Sequence, residues 1–215
     1  MITAAPEYSR WPFANWVFAL LLVCCASVSP AAADTATRPM RIVSLIACTD
    51  QLLLRLVEPE RILSLTFLSY QKDALPPEFR PLLKRFKPNH GLAEEALTMQ
   101  PDLVVTGTFS SQFTTTLLRR LGRNVVEFAP DNSFDEMYAS IVRMGDAVGE
   151  PERAEKLIAN FRSRLASLQA QIPPGEMPVY ADIDVNFWMP GKDTLYAQVV
   201  NAGGFLALTL SDLPP

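Results

Sequence analysis

Histidine and cysteine are scarce in this sequence of 215 residues, which has one histidine and three cysteines. A transition-metal site usually recruits several such ligands, and hydrolysis by an activated nucleophile requires a base beside it. His90 and Cys48 stand in separate segments. The sequence therefore lacks both the cluster of ligands typical of a transition-metal site and a nucleophile with a histidine base in its own segment. We expect Cys48 to be a small buried residue at a strand end and His90 to form local hydrogen bonds in its loop. A reactive thiol and a ligand remain the respective alternatives.

Glycine-rich phosphate loops and long basic runs are also missing. Gly107 stands alone, and Gly203 and Gly204 follow a predicted helix rather than opening one. The formal net charge is −4 at pH 7. These absences argue against nucleotide chemistry and against a nucleic-acid partner. We expect neither a cofactor nor a metal ion bound by the chain itself.

The first 33 residues show the order of charged, apolar and small residues that is typical of a secretory signal peptide. Arg10 precedes the apolar run WVFALLLVCCASV, and alanines follow at positions 31–33. We expect cleavage near Ala33 and a periplasmic mature chain. A retained membrane anchor is the alternative, but the run is shorter than the roughly 20 residues that span a bilayer. Lipid attachment at Cys24 also stays open.

Continuous apolar runs alternate with helical patterns between residues 34 and 130. Such runs are typical of strands covered on both faces, and their alternation with helices predicts βαβ units in a parallel sheet. The predicted helices cover 50–57, 92–99 and 112–121, the first capped by Thr49 or Asp50. Prolines make 69–90 an exposed connection. The predicted strands cover 41–46, 61–65, 103–106 and 125–128.

Residues 131–175 have a helical pattern. Ser133 and Glu136 form a capping box, and apolar residues recur at helical spacing after Pro151, which leaves two helices or one long kinked helix open. A strand at 179–184 and a helix at 194–202 begin another α/β unit within 176–215. One strand and one helix cannot bury their own apolar faces, so we infer an incomplete second lobe in a truncated chain.

The predicted fold class is therefore α/β, with a βαβ parallel-sheet N-terminal lobe, a long backbone helix and an incomplete second α/β lobe. Glu94 and Glu95 stand in its short helix at 92–99. Adjacent helical residues point about 100° apart, so the two carboxylates cannot easily flank one bond as acid and base. They either favour the positive end of the helix dipole or contact a partner.

Five segments in order resemble the substrate-binding proteins of ABC importers for cobalamin, ferric siderophores and haem. The resemblance implies two α/β lobes joined by a rigid helix at about 133–172, a ligand in the cleft between them, and an importer permease as partner. We expect a monomer. The segments cover about residues 40–206 and are RIVSLIACTDQLLLRL, GLAEEALTMQPDLVVTGTF, LLRRLGRNVVEF, the long helix and VNFWMPGKDTLYAQVVNAGG.

Ligands of open α/β sheets bind beyond the carboxyl ends of the strands, so the loops there should face the cleft. Their aromatic side chains suit a large planar ligand such as a corrin or porphyrin ring. For each of them, packing within its own loop is the alternative. Tyr70 and Trp188 are preferred, because the resemblance places binding aromatics in the corresponding loops. The predicted contacts are Phe67, Tyr70, Phe109, Phe187 and Trp188.

The resemblance also places Glu94, with Glu95 as its neighbour, where the N-terminal lobe docks on arginines of the permease. The leading hypothesis is a periplasmic protein that delivers a metal chelate to an ABC importer and has no catalytic activity. One alternative is an exported metal-dependent hydrolase that uses His90. Another is a truncated remnant without function, and a truncated chain should bind its ligand weakly or not at all.

Overall fold

Five short strands form the larger sheet of this computed structural model, which describes residues 38–110, 112–185 and 189–212. They are β1 Ile42–Ser44, β2 Ile62–Thr66, β3 Lys87–Asn89, β4 Leu103–Gly107 and β5 Val125–Phe128. All neighbouring pairs are parallel, in the order β3-β2-β1-β4-β5. The predicted parallel α/β architecture is confirmed. The predicted signal peptide lies outside the described residues.

Two apolar layers cover the two faces of this sheet. Successive residues of a strand point to opposite faces, and Ile42 and Val43 accordingly belong to different buried clusters. Val104 and Val105 divide in the same way. These strands therefore read as continuous apolar runs because both of their faces are buried. The helices that follow β1, β3 and β4 are α1 Ala47–Leu56, α2 Ala93–Thr98 and α3 Gln112–Arg120.

Strand β3 is not predicted by the sequence, which favours an exposed connection over residues 69–90. The strand contains Pro88 and forms the edge of the sheet. A proline is tolerated there because its missing N–H is not needed by a further strand. Leu75 and Phe86 of the same segment are buried in the core. The connection is therefore more ordered and more buried than its proline content suggests.

Helix α1 begins earlier than predicted. It starts at Ala47, and the preceding Ile46 makes no side-chain cap. Thr49 and Asp50 are thus not caps but buried residues inside the first turns of the helix. The hydroxyl of Thr49 contacts that of Ser44 at 2.7 Å, so polar residues that resemble a cap serve as internal contacts instead.

The helical region from 131 to 175 contains two helices, α4 Phe134–Val148 and α5 Pro151–Gln169. Ser133 caps α4 as predicted, because its hydroxyl accepts the backbone N–H of Glu136 at 3.1 Å. Gly149 then adopts a left-handed conformation, with φ of 71°, which ends the helix. A single rigid helix over 133–172 is therefore wrong, and the alternative of two helices is correct.

Helices α4 and α5 pack against each other as an antiparallel pair. Near the turn, a Cβ added to Gly145 would stand 2.5 Å from Cβ of Ala154, so glycine permits the close approach. At the far end, the rings of Phe134 and Phe161 are 5.8 Å apart. None of the described helices is long and apolar enough to cross a membrane.

A second, two-stranded sheet follows the helical pair. Strand β6 Val179–Ala181 pairs in parallel with β7 Leu206–Leu208, and helix α6 Leu195–Ala202 connects them. The sequence predicts only the first strand and the helix, so β7 corrects that prediction: this part of the chain holds a complete βαβ unit. The lobe boundaries near 130 and 175 stay predictions.

The turn between α4 and α5 is held against the larger sheet by Arg61. The Arg61 side chain is only 2% exposed, and its Nε donates to the carbonyl of Pro39 at 2.7 Å. Its other nitrogens donate to the carbonyl of Val148 and to the carboxylate of Glu150. One buried guanidinium therefore joins the segment before β1 to both helices of the pair.

Replacing Arg61 should test this contact. Arg61→Met keeps an unbranched side chain of comparable length, but it leaves the carbonyls of Pro39 and Val148 without this donor and the largely buried Glu150 with only the half-exposed Arg38 as its cation. We expect the free energy of unfolding to fall by about 3 kcal/mol, measured by urea titration of the full chain. Arg85→Met is the matched control, because it removes an exposed ion pair with Glu60 and should change stability little. Equal losses in the two variants would contradict a special role for Arg61.

Candidate functional site

The carboxyl ends of β1 to β4 meet at one edge of the larger sheet, because the strands are parallel. The chain leaves β1 in one direction toward β2 and β3, whereas β4 and β5 lie on the other side. Clefts of doubly wound sheets open at such a reversal of strand order. The loops that follow β1 and β4 should therefore border a cleft, with the ends of β2 and β3 beside them.

Phe67 and His90 lie side by side at this edge, directly after β2 and β3. Their rings stack with centroids 4.8 Å apart and an interplanar angle of 26°. Phe67 is 38% exposed, which is compatible with its predicted ligand contact. The sequence does not predict the stack, since the two residues are separated by 23 positions and meet only because β3 pairs with β2.

Glu95 holds His90 in place. Its Oε1 contacts Nδ1 of His90 at 3.0 Å, and its Oε2 accepts the backbone N–H of His90 at 2.6 Å. Partial burial disfavours the charged carboxylate, but the hydrogen bonds from His90 outweigh it and lower the pKa of Glu95. The prediction that His90 forms local hydrogen bonds is confirmed. Glu94 remains exposed, and its docking role stays a prediction.

Asn89 connects the three strands beneath this pair. Its buried side-chain amide donates to the carbonyl of Ser44 at 2.8 Å and to the hydroxyl of Ser64 at 2.7 Å. Its oxygen accepts the backbone N–H of Gly91 at 3.0 Å. Asn89 is not among the residues that the sequence predicts for this edge, although an asparagine two residues before a glycine is a signal for such a turn.

The loop after β4 presents Phe109 to solvent. The hydroxyl of Ser110 accepts from the hydroxyl of Thr106 at 2.8 Å and from the backbone N–H of Gly107 at 3.3 Å. These bonds close the loop and leave Phe109 87% exposed at its tip. A Cβ added to Gly107 would stand 2.6 Å from the terminal methyl of Ile46, so a larger residue there would have to displace that side chain.

Tyr70 has a mainly internal environment. Its hydroxyl donates to the carbonyl of Phe86 at 2.8 Å, and its ring packs against the larger buried cluster. Burial raises the pKa of the Tyr70 hydroxyl to about 12, with a further contribution from the charge of Asp50. Tyr70 thus anchors the segment before β3, and a contact with ligand stays a prediction.

Phe187 and Trp188 lie outside the described residues, so their predicted contacts are untested. Among the residues that the structure describes, no three histidine, cysteine, aspartate or glutamate side chains form a group that could hold a metal ion.

Cys48 is exposed rather than buried, which corrects the prediction. The reason is the early start of α1, which places Cys48 on the first turn of a helix instead of at a strand end. The thiol borders a groove of about 600 Å³ between α1 and the helical pair. This groove contains none of the predicted ligand contacts, and it is lined mainly by apolar side chains such as Leu52, Met137, Ile141, Phe161 and Leu168.

Asp50 is the strongly perturbed carboxylate at this edge. It is fully buried, and Oδ2 accepts the backbone N–H of Thr66 at 2.9 Å and the hydroxyl of Ser69 at 2.6 Å. Oδ1 has no hydrogen-bond partner among the described residues. Burial raises the pKa of Asp50 from 3.8 to about 7, although hydrogen bonds to the charged form oppose the rise. Asp50 thereby holds the loop that carries Phe67.

Comparisons with known proteins agree with this architecture. A family model described as periplasmic binding protein matches residues 43–204. A curated relative, the uncharacterized ABC transporter substrate-binding lipoprotein YvrC of Bacillus subtilis (strain 168), is 25% identical over 172 residues, which are 76% of this chain and 53% of the relative. The chain thus spans about half the length of that relative.

Two solved structures share the fold. One, from Staphylococcus epidermidis ATCC 12228, is described as a possible iron-binding (periplasmic solute-binding) protein; it has a TM-score of 0.65 and 20% identity, and the match covers 79% of this chain and 67% of that one. The other is a periplasmic heme binding protein from Pseudomonas aeruginosa, with a TM-score of 0.58 and 21% identity over 80% of this chain and 63% of that one.

The raised pKa of Asp50 predicts a pH-dependent stability. Between its ordinary value of 3.8 and its folded value of about 7, the folded chain binds more protons than the unfolded chain. The contribution of Asp50 to the free energy of unfolding should therefore fall as the pH rises from about 4 to about 7, and then stay constant. Asp50→Asn should lack this fall.

Urea titrations at pH 4 and pH 8 would measure the effect as the difference between variant and native chain. From pH 4 to pH 8, the free energy of unfolding of Asp50→Asn should rise by about 2–4 kcal/mol relative to that of the native chain. Asp135→Asn, at an exposed position on α4, is the control and should show no such change. A difference for Asp50→Asn that is independent of pH would refute the prediction.

Proposed function

The chain belongs to the periplasmic binding protein family, and we propose on that basis that it is the solute-binding component of an ABC importer and delivers a metal chelate to the permease. We choose this class of ligand because apolar side chains are exposed at the carboxyl edge of the larger sheet. Phe67, Leu92 and Phe109 are all more than one third exposed there. A large planar ligand with apolar faces would cover such side chains, whereas a small polar solute would not.

Hydrogen bonds order the loops at this edge. This order favours contacts of their aromatic side chains with a ligand over packing of each side chain within its own loop. The backbone beneath Phe67 is held by Asp50, and the loop of Phe109 is closed by Ser110. Binding loses less conformational entropy when the contacting side chains already stand on ordered loops. The names of the two solved structures, one possibly iron-binding and one heme-binding, agree with a metal chelate as cargo.

Export is part of the same proposal. The signal-peptide pattern supports export, with cleavage near Ala33 and a periplasmic mature chain. The Bacillus relative is described as a lipoprotein. The alternative is therefore that a lipid attached to Cys24 anchors the exported chain to the membrane surface. We propose a monomer that acts without a resident cofactor, without catalysis and without nucleic acid.

An exported hydrolase that uses His90 is less well supported. The side chain of His90 contacts Glu95 and Phe67, and no described hydroxyl or thiol forms a hydrogen bond with its ring. A general base must come within hydrogen-bonding reach of the group that it deprotonates. Hydrolysis that is lost in His90→Ala while the fold is retained would favour the enzyme.

Deleting the gene should impair the uptake of one metal chelate. Uptake assays with hemin, cyanocobalamin and a ferric siderophore would identify it, and a plasmid copy of the gene should restore uptake. The specific loss follows because a permease receives its solute from its own binding protein. Unchanged uptake of all three chelates would contradict the proposed cargo.

Glu94→Ala should reduce this uptake without changing ligand affinity. Glu94 is exposed on α2 and forms no ion pair with the described residues, so its carboxylate is free to meet an arginine of the permease. Glu152→Ala removes another exposed acid, on α5, and serves as the control with normal uptake. The two variants should be compared by uptake rate and by equilibrium binding. An equal loss of affinity in Glu94→Ala would place Glu94 in the ligand site.

A further inference from the structure

We propose that the groove between α1 and the helical pair binds a fatty acid, with the carboxylate at Arg55 and the alkyl chain along the groove toward Cys48. The groove has a volume of about 600 Å³ and contains none of the predicted contacts of the cargo. Pockets for small ligands have volumes of about 300–1,000 Å³ and commonly lie between packed helices. This second site takes a ligand of another class, so the inference goes beyond the proposed function.

One face of α1 sets the two ends of the site. Cys48, Leu52 and Arg55 all line the groove, and they lie on one side of the helix because residues three and four apart are neighbours. Cys48 stands in the first turn, at the carboxyl edge of the sheet, and Arg55 stands in the last turn. At 1.5 Å per residue, their backbones are about 10 Å apart along the helix. A ligand held at Arg55 and extended along α1 therefore reaches the thiol.

Helix α5 supplies an apolar wall of the groove. Leu157, Phe161, Leu165 and Leu168 line the groove at helical spacing, over about 16 Å of the helix. The first three are partly buried, and Leu168 is 62% exposed. A small polar solute would cover little of this wall. An alkyl chain would bury apolar surface along its length, which is favourable in water.

Arg55 is oriented and available for a carboxylate. Its guanidinium carbon lies over the ring of Phe79, 5.0 Å from the centroid. Such stacking uses the face of the guanidinium and leaves the N–H groups at its edge, where they can donate to a carboxylate through two parallel hydrogen bonds. Among the described residues, no carboxylate forms an ion pair with Arg55.

The other charged side chains of the groove agree with this orientation. Arg164 on α5 adds a second positive charge, and it has no ion-pair partner within the described part of the chain. Asp131 is the one described carboxylate that lines the groove. It accepts the hydroxyl of Ser140 at 2.7 Å and lies shortly after β5, at the carboxyl edge. Repulsion by Asp131 therefore places the ligand carboxylate toward the other end, at Arg55.

Alkylation of Cys48 in the full chain tests the position of the alkyl chain. Iodoacetamide should modify this exposed thiol, and laurate, added below its micelle concentration, should slow the reaction several-fold. Mass spectrometry of the peptide that contains Cys48 would measure this rate separately from those of Cys24 and Cys25. Acetate, which lacks the chain, should give no protection. Dodecanol, which lacks the charge, should protect only at higher concentration.

Arg55→Met and Arg143→Met form a matched pair for the carboxylate contact. Arg143 is also an exposed arginine that stacks on a phenylalanine, with its guanidinium carbon 5.3 Å from the ring centroid of Phe128, but it does not line the groove. Isothermal titration calorimetry should show a laurate affinity that is about tenfold weaker in Arg55→Met and unchanged in Arg143→Met. Dodecanol should bind the native chain and Arg55→Met alike, which would verify that the groove of the variant is intact.

Three results would overturn the inference. The first is a failure of laurate to protect Cys48, or a laurate affinity that is equal in the native chain and in Arg55→Met. The second is alkylation of Cys48 that slows as the protein concentration rises without ligand, since a second copy would then cover the groove. The third is protection by a synthetic acidic amphipathic helix or by phosphatidylglycerol vesicles but not by laurate. Each of these results leaves the uptake assays, and with them the proposed function, unaffected.

Discussion

The buried guanidinium of Arg61 is the contact on which the arrangement of sheet and helices depends. An isolated buried cation is strongly unfavourable, so its partners must all be present together. They include the carbonyls of Pro39 and Val148 and the carboxylate of Glu150, which belong to the segment before β1 and to the turn between α4 and α5. The turn between α4 and α5 is thereby placed against the sheet. The opposite end of this helical pair then borders the groove beside Cys48.

At the opposite edge of the sheet, buried polar contacts hold the backbone and leave apolar side chains exposed. Asp50 binds the loop of Phe67, Asn89 joins three strands, and Ser110 closes the loop of Phe109. Each contact satisfies polar groups that would otherwise be buried without partners. The result is an ordered surface whose exposed side chains suit a ligand.

Elements with strong local patterns could be predicted from the sequence, whereas elements that depend on pairing could not. Strand β5 and the Ser133 cap agree with prediction because their signals lie within a few residues. Strand β3 forms despite Pro88 because it pairs with β2 at an edge. The three-residue strand β7 is visible only through its pairing with β6. The predicted start of α1 is too late because Thr49 resembles a cap, and the predicted environment of Cys48 is wrong for the same reason.

By itself, the sequence determined the alternation of apolar strands with helices, hence the parallel α/β class, and the segments that mark the family. These features follow from local periodicity and from short motifs. Only the tertiary structure decided that Glu95 orients His90, that Phe67 stacks on it, and that Asp50 is buried with a raised pKa. The physical reason is that hydrogen bonding, stacking and desolvation depend on which distant segments meet, and strand pairing sets those meetings.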